Sequence, residues 1–491
     1  MRRAGRTICG LLIFLAGSLM AAVSDAAERL DPSADEAVIA RGQYLAIAAD
    51  CGACHTLPGG KPFAGGLAIS TPLGTIYSTN ITPSADFGIG RYTEEDFSNA
   101  LRRGIRRDGA HLYPAMPYTS YVEFTDDDAH ALYAYFMHSV QPVDARAPET
   151  ALPFPMNIRL SMLAWNFLFL DGGVFAPDPR QSAEWNRGAY LVQGAAHCST
   201  CHTPRGFLMQ EEASRALSGA EVGPWYAPNI TSDPATGIGS WAREELAAYL
   251  RTGRLPGKAQ AAGSMGEAIE HSFQHLSTTD IEAIATYIKS VPPIHDPSSA
   301  SRFTAGRMFS ELGVLRGRDG ISSDNGADPS GAELFQGNCA SCHSAEGQGS
   351  KDGYYPSLFH NSATGNKDPA NLIAAILYGV DRTVSGRQAF MPGFGGHPGD
   401  STQLSDRDIA VLGTYVLTHY GPGDTSITEQ EVSETRRGGP SSPLLTIVRW
   451  GLAAAAVVII LGIVFLLFRK FERREGVGDI SSFVSRRSDG F

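Results

Sequence analysis

The sequence predicts a mainly α-helical protein: three tandem domains built to one plan, followed by a single membrane-spanning helix. Three observations carry that reading. A five-residue pattern occurs three times, as Cys51-Gly52-Ala53-Cys54-His55, Cys198-Ser199-Thr200-Cys201-His202 and Cys339-Ala340-Ser341-Cys342-His343. Similar helix-forming sequences stand before and after each copy. Near the C-terminus, residues 450–468 form an uninterrupted stretch of apolar residues and glycine.

Cys-x-x-Cys-His is the attachment sequence for c-type haem. Residues i and i+3 share a helix face, so one turn presents two thiols to the vinyl groups on one porphyrin edge. The histidine that follows can ligate iron through a neutral imidazole nitrogen. Of the seven cysteines, six lie in these motifs, and the seventh, Cys9, falls in a segment expected to be removed. A zinc ribbon would need a second pair of ligands for every copy, and no second Cys-x-x-Cys accompanies any of them. The expectation is three covalent haems, on Cys51 and Cys54, Cys198 and Cys201, and Cys339 and Cys342, with His55, His202 and His343 on iron.

The repeat extends beyond the cysteines. Ala40-Arg41-Gly42-Gln43-Tyr44-Leu45 leads into the first motif, Asn186-Arg187-Gly188-Ala189-Tyr190-Leu191 into the second, and Ser330-Gly331-Ala332-Glu333-Leu334-Phe335, more loosely, into the third. Closing helices are expected from Thr125, Thr279 and Ser405, each a hydroxyl followed three residues later by an acid. Leu132 and Tyr135, Ile284 and Tyr287, and Leu412 and Tyr415 share a face on these helices. Asn80-Ile81-Thr82 with Gly88-Ile89-Gly90 is echoed by Asn229-Ile230-Thr231 with Gly237-Ile238-Gly239. A short helix is expected after each, and the third domain is expected to lack this insert. First and last helices with haem between them are the plan of a class-I cytochrome c domain.

The domains are expected at 28–143, 182–296 and 330–421. A linker over 144–181, rich in Pro, Met and aromatics such as Met156, Met162, Trp165, Phe167 and Phe169, either fills the domain interface or docks a partner, quinone or membrane. Further linkers cover 297–329, including the polar run 322–329, and 422–443, the latter read as a flexible tether. Residues 1–26 read as a secretory signal peptide, with Arg2, Arg3 and Arg6 before a short apolar run. The transmembrane helix is placed at 444–468. Arg469, Lys470, Arg473 and Arg474 follow and put the 469–491 tail in the cytoplasm, with the haem domains in a bacterial periplasm. The formal net charge of −11 gives no support for nucleic-acid binding.

A methionine thioether as sixth ligand makes an electron-transfer haem. Of ten methionines, Met391 is the only one after the third motif. Met116 stands in Pro114-Ala115-Met116-Pro117 before the closing helix. Met265 remains for the second domain once Met209 and Met308 are set aside by position, with His271 or His275 as competitors. Pro58 and Pro204 either offer a carbonyl to the axial histidine or form turns.

The chain resembles the triheme cytochrome c subunits of membrane-bound dehydrogenases of alcohols, sugars, sugar acids and aldehydes from acetic acid bacteria. The resemblance rests on the sequences of residues 75–83, 111–118, 133–137 and 201–207, and in the third domain on the haem motif with Met391-Pro392. It implies a dehydrogenase catalytic subunit carrying FAD, PQQ or a molybdenum cofactor, an optional small third subunit, and ubiquinone as electron acceptor at the membrane. No acid–base or nucleophilic site, G-x-G-x-x-G, P-loop or G-x-S-x-G is evident. The competing readings are a haem peroxidase, which needs an open iron, and an independent carrier feeding a terminal oxidase.

Overall fold

Helices α1 (Pro32–Ala48) and α5 (Asp126–His138) cross where α1 has no side chain: a Cβ on Gly42 would lie 1.9 Å from the Ala131 carbonyl oxygen. A computed structural model describes residues 32–296, 301–311, 329–400 and 402–475. The leader expected over 1–26, Cys9, most of 297–329 and the end of the 469–491 tail lie outside them.

Between α1 and α5 come the single-turn helix α2 (Cys51–His55), the hairpin β1 (Ala68–Thr71) and β2 (Gly74–Tyr77), α3 (Glu94–Arg103) and α4 (Tyr118–Tyr121). Thr93 and Asp96 form a reciprocal capping box on α3. The same order then recurs. After α6 (Ser161–Phe169) in the linker, α7 (Ala183–Tyr190) leads to α8 (Cys198–His202), β3 (Ala220–Val222), β4 (Trp225–Ala227) and α9 (Arg243–Thr252). The two-residue strands β5 (Arg254–Leu255) and β6 (Ala259–Gln260) then precede α10 (Gly263–His271) and the closing helix α11 (Thr278–Ser290). Gly188 repeats the crossing, with its Cβ position 1.9 Å from the Ala283 carbonyl. The second copy carries one residue more between this glycine and its motif, and a π-turn over Leu191–Ala195 absorbs it.

A third unit follows: α12 (Gly331–Asn338), α13 (Ala340–His343), α14 (Ala370–Tyr378), the hairpin β7 (Val380–Val384) and β8 (Arg387–Met391), and α15 (Asp406–Tyr420). Gly331 sits against Tyr415 and Val411 as Gly42 sits against Tyr135 and Ala131. The expectation that this unit lacks a middle helix is corrected. The Asn-Ile-Thr loop is missing, but α14 packs on α15 through Leu372 and Ile376. Two cores result. One runs continuously through the first two units, with Leu45, Phe124, Leu132, Leu191, Ile281 and Ile284 almost fully buried, and the other fills the third around Phe335, Ile409 and Leu412.

Closing helices α5 and α15 are capped by Thr125 and Ser405 as expected. The cap of α11 is Ser277, two residues before the expected Thr279, because the Ser277 hydroxyl accepts the Asp280 amide and frees the Asp280 carboxylate to turn across the interface.

Residues 422–443 are not a loose tether. They contain α16 (Glu429–Arg436), started by a capping box of Thr428 and Glu431. Val432 is fully buried against α14 and α15, and Arg436 pairs with Asp406 at 2.8 Å. Two apolar anchors, Ile427 and Val432, suffice to fasten an otherwise polar segment. Helix α17 (Leu444–Glu475) follows, and its Leu444–Phe471 portion is long and apolar enough to cross a membrane.

The 144–181 linker divides its roles. Asn80 donates to the Val143 and Ala145 carbonyls, Tyr118 to Asn166, and Trp165 to the Leu208 carbonyl, so one face of the linker fastens the first two units. The other face of α6 is bare, with Phe167 88% exposed.

Candidate functional site

Each histidine of the three motifs is oriented by one backbone carbonyl. Nδ1 of His55 lies 2.6 Å from the Thr79 oxygen, that of His202 lies 2.7 Å from Pro228 and that of His343 lies 2.9 Å from Pro356. A carbonyl only accepts, so Nδ1 carries the proton and Nε2 presents its lone pair. Burial drives all three imidazoles toward the neutral form, His202 to about 4.

The carbonyls are themselves held. Thr79 and Pro228 immediately precede the repeated Asn-Ile-Thr. The Asn80 side-chain oxygen accepts from the Thr82 amide and hydroxyl, and Asn229 does the same with Thr231. The Asn amides then donate to Val143 and Ile294, beyond the closing helices. Each Asn-Ile-Thr is therefore a clip between the histidine's carbonyl partner and the end of its unit. Pro58 and Pro204 do not supply these carbonyls, and the Pro204 oxygen accepts from the Glu212 amide instead. A second brace recurs in all three units: Gly65, Gly219 and Gly349, at positive φ, donate to the His55, His202 and His343 carbonyls.

The motif helices begin abruptly. Asp50 and His197, with φ of 50° and 35°, break the preceding helix so that a fresh turn starts at the first cysteine. In the third unit Cys339 is itself the N-cap, and the break follows the motif at Ser344. None of the six motif cysteines forms a disulfide. Burial pushes the Cys51, Cys198 and Cys339 thiols up to about 12. Thiols one turn apart and a neutral imidazole with its outer nitrogen free are the donor set that covalent haem requires, so the residues fit that group.

Met116 and Met265 are half-buried against the core that also holds Cys51 and Cys198, and Met391 against the core that holds Cys339. Met391 ends β8, and Met265 sits in the first turn of α10. His271 and His275 are exposed, and so is Met308.

Helix α10, which bears Met265, packs against both α2 of the first motif and β7 of the third unit. The His197 ring meets Tyr121 edge-on at 5.8 Å, and Tyr121 donates to Ala49, two residues before Cys51.

A cytochrome c family model matches residues 39–139 and 330–419. The chain is 46% identical over 471 residues to the fructose dehydrogenase cytochrome subunit of Gluconobacter japonicus, a match covering 93% of this chain and 96% of that protein. The chain belongs to the dehydrogenase cytochrome c subunits. It is also 38% identical to the cytochrome c subunit of alcohol dehydrogenase (quinone) from Gluconobacter oxydans, over 86% of this chain and 87% of the relative. Identity to the gluconate 2-dehydrogenase cytochrome c subunit of Pantoea cypripedii is 38%, over 83% and 91%. As a cytochrome c subunit, the chain carries covalently bound haem and transfers electrons alongside a dehydrogenase partner. The matched stretches contain the first and third motifs. The second motif lies between them, in a unit that repeats the opening helix, motif helix, hairpin, middle helix and closing helix of the first.

Proposed function

We propose that the subunit holds three haems c in three tandem cytochrome c domains and passes electrons from a dehydrogenase catalytic subunit to ubiquinone. The observation that carries the haem number is the triplicate histidine clamp: a cysteine pair outside any disulfide, Nδ1 on a carbonyl, and a glycine amide on the histidine's own carbonyl. Each haem supplies one-electron transfer when bound. The protein fixes the imidazole tautomer, keeps Nε2 neutral, and buries the iron environment. Met116, Met265 and Met391 are the proposed sixth ligands. Filled axial positions favour electron transfer over peroxidase chemistry.

Relatives act with fructose, alcohol and gluconate dehydrogenases, and the name of the alcohol enzyme includes quinone. An acceptor in the membrane agrees with the form of the molecule. Helix α6 exposes Leu163, Phe167 and Leu168, and Arg449 in α17 donates to the Phe154 carbonyl just ahead of α6, at 2.9 Å. The proposed quinone-facing region is this bare apolar face beside the start of the span. The cationic run from Arg469 supports a cytoplasmic C-terminal end for α17 and periplasmic haem domains.

Pyridine haemochrome quantitation per chain, with mass mapping of the six cysteines, tests the haem number; two haems per chain would overturn it. The acceptor is tested in proteoliposomes holding the complete dehydrogenase complex and long-chain ubiquinone. Substrate-dependent quinone reduction is expected, and its loss when the chain ends before Ser441. A full rate without α17 would remove the anchor from this step.

A further inference from the structure

Two arginines lie almost fully buried in and beside the second unit with no carboxylate paired to them, and Glu270 acts on Arg382 only from beyond ion-pair reach. Arg302, which follows the second unit in sequence, is 7% exposed, and Arg382, on β7 of the third unit, is 3% exposed. Among the described residues, no carboxylate forms an ion pair with either. Their terminal nitrogens are spent on backbone: Arg302 donates to the Thr236 and Asn229 carbonyls at 2.5 and 3.1 Å, and Arg382 donates to the Ala261 carbonyl. Carbonyl contacts satisfy hydrogen bonds but do not neutralise charge. A buried guanidinium with no paired anion is costly, and here there are two.

The unspent donors point to what balances them. Nε of Arg302, Nε of Arg382 and Nε1 of Trp241, which is 5% exposed, are all buried and have no hydrogen-bond partner. Trp241 lies in the core of the second unit, Arg302 bonds its backbone, and Arg382 sits on β7, which packs against α10. Asn229, which Arg302 contacts, directly follows Pro228, the carbonyl partner of His202. Arg382 runs past Gly253 at the end of α9 and past Gly266, the neighbour of Met265. Trp241 stacks edge-on against Tyr249 at 5.4 Å and Phe303 at 5.6 Å. Both arginines act electrostatically on Tyr249. One arginine thus lies beside the carbonyl partner of the motif histidine and the other beside the neighbour of Met265. Among the described residues of the first unit, no arginine is buried this way.

Resting on the reading of three haems, we propose that Arg302, Arg382 and Trp241 form an internal dicarboxylate site that holds the two propionates of the haem at Cys198 and Cys201. Two buried cations and two propionate anions make a neutral set. Because Arg382 belongs to the third unit, the second haem is held jointly by two units, and its redox potential depends on their contact.

The test uses the full chain in its dehydrogenase complex, with Arg302→Gln, Arg382→Gln and the charge-preserving Arg382→Lys. Haemochrome quantitation and mass mapping of Cys198 and Cys201 come first. If the wild type lacks haem there, the three-haem reading fails, independently of the clamp. With three haems present, redox titration is expected to show one midpoint potential lowered by either glutamine variant and the other two unmoved, since losing a nearby cation favours ferric iron. The propionate-bending region of the resonance Raman spectrum is expected to change with it. Arg382→Lys is expected to keep the fold and retain most of the potential while altering the Raman band. Three unchanged midpoints and an unchanged Raman spectrum in a lysine or glutamine variant that holds three haems would overturn the proposal.

Discussion

The Tyr44 hydroxyl of the first unit donates to the Asp280 carboxylate of the second at 2.5 Å, and Tyr190 of the second returns the bond to Asp128 of the first. Each aspartate also holds the arginine of its own unit: Arg41 to Asp128 at 2.6 Å, Arg187 to Asp280 at 2.8 Å. The tyrosines stand three residues beyond the arginines in the repeated Arg-Gly-x-Tyr, so one short sequence supplies both the intra-unit pair and the inter-unit bond. The relation is that of an isologous interface inside one chain.

Removing one of these hydroxyls is expected to weaken that interface. Tyr44→Phe should cost about 1–3 kcal/mol, as a hydrogen bond to a charged acceptor. Adding Tyr190→Phe should cost a similar amount again, since the two bonds use different acceptors. Denaturant unfolding followed by the haem Soret band checks both. An undiminished midpoint in the double variant would show that the shared apolar core alone holds the units together.

Acid should act at the same place. Burial works to raise Asp280, but hydrogen bonds from Arg187 and Tyr44 outweigh it and hold the carboxyl below its ordinary value of 3.8. Burial likewise opposes Asp233, and bonds from Thr236 and His295 bring it to about 2. Both values are depressed in the fold, so both contribute stability above pH 3.8 that is lost as pH falls through the folded values. Thermal stability should therefore fall between about pH 4 and pH 2, and Asp280→Asn should flatten part of that slope.

Gly188→Ala should be among the most damaging single substitutions. Its Cβ would stand 1.9 Å from a carbonyl oxygen and 2.9 Å from the Tyr287 side chain, so α7 and α11 must separate. A cost of about 3 kcal/mol is expected, from overpacking at a helix crossing. Lower haem content per chain should accompany it.

The proposed sixth ligands make a spectroscopic prediction. Met116→Leu, Met265→Leu and Met391→Leu should each remove one share of the far-red Fe–Met charge-transfer absorption and lower one potential. If Met265→Leu leaves the band whole, His271 or His275 must be reconsidered despite their exposure.

Helix α6 can be tested apart from electron transfer. Phe167→Asp changes a side chain that is 88% exposed, so the fold and haem spectra should hold. Ubiquinone reduction in membranes should fall, while reduction of a soluble acceptor stays level. Equal rates with both acceptors would separate α6 from the quinone-facing region.

Local signals were readable in the sequence. The cysteine spacing, the Arg-Gly-x-Tyr repeat, the caps at Thr125 and Ser405 and the long apolar helix all depend on neighbours within one or two turns. What could not be read was set by distant backbone. Nothing near His55 announces the Thr79 carbonyl, although the repeated Asn-Ile-Thr was the available signal, and Pro58 was the nearer but wrong candidate. The Ser277 cap was missed because Asp280 was needed elsewhere, a demand made by Tyr44. Helix α16 was hidden by its polarity, with two apolar residues sufficient to seat it. Arg302 and Arg382 look like ordinary surface arginines until the units are packed together.

The π-turn at Leu191–Ala195 shows what fusion of the two halves permits. In a true homodimer every substitution strikes both sides of the axis at once, so an extra residue before the motif would have to be tolerated twice. Within a single polypeptide each half can accept its own insertion, its own buried cations and its own neighbours while the shared tyrosine–aspartate handshake keeps them aligned. Each side of the pair is thereby free to specialise on its own.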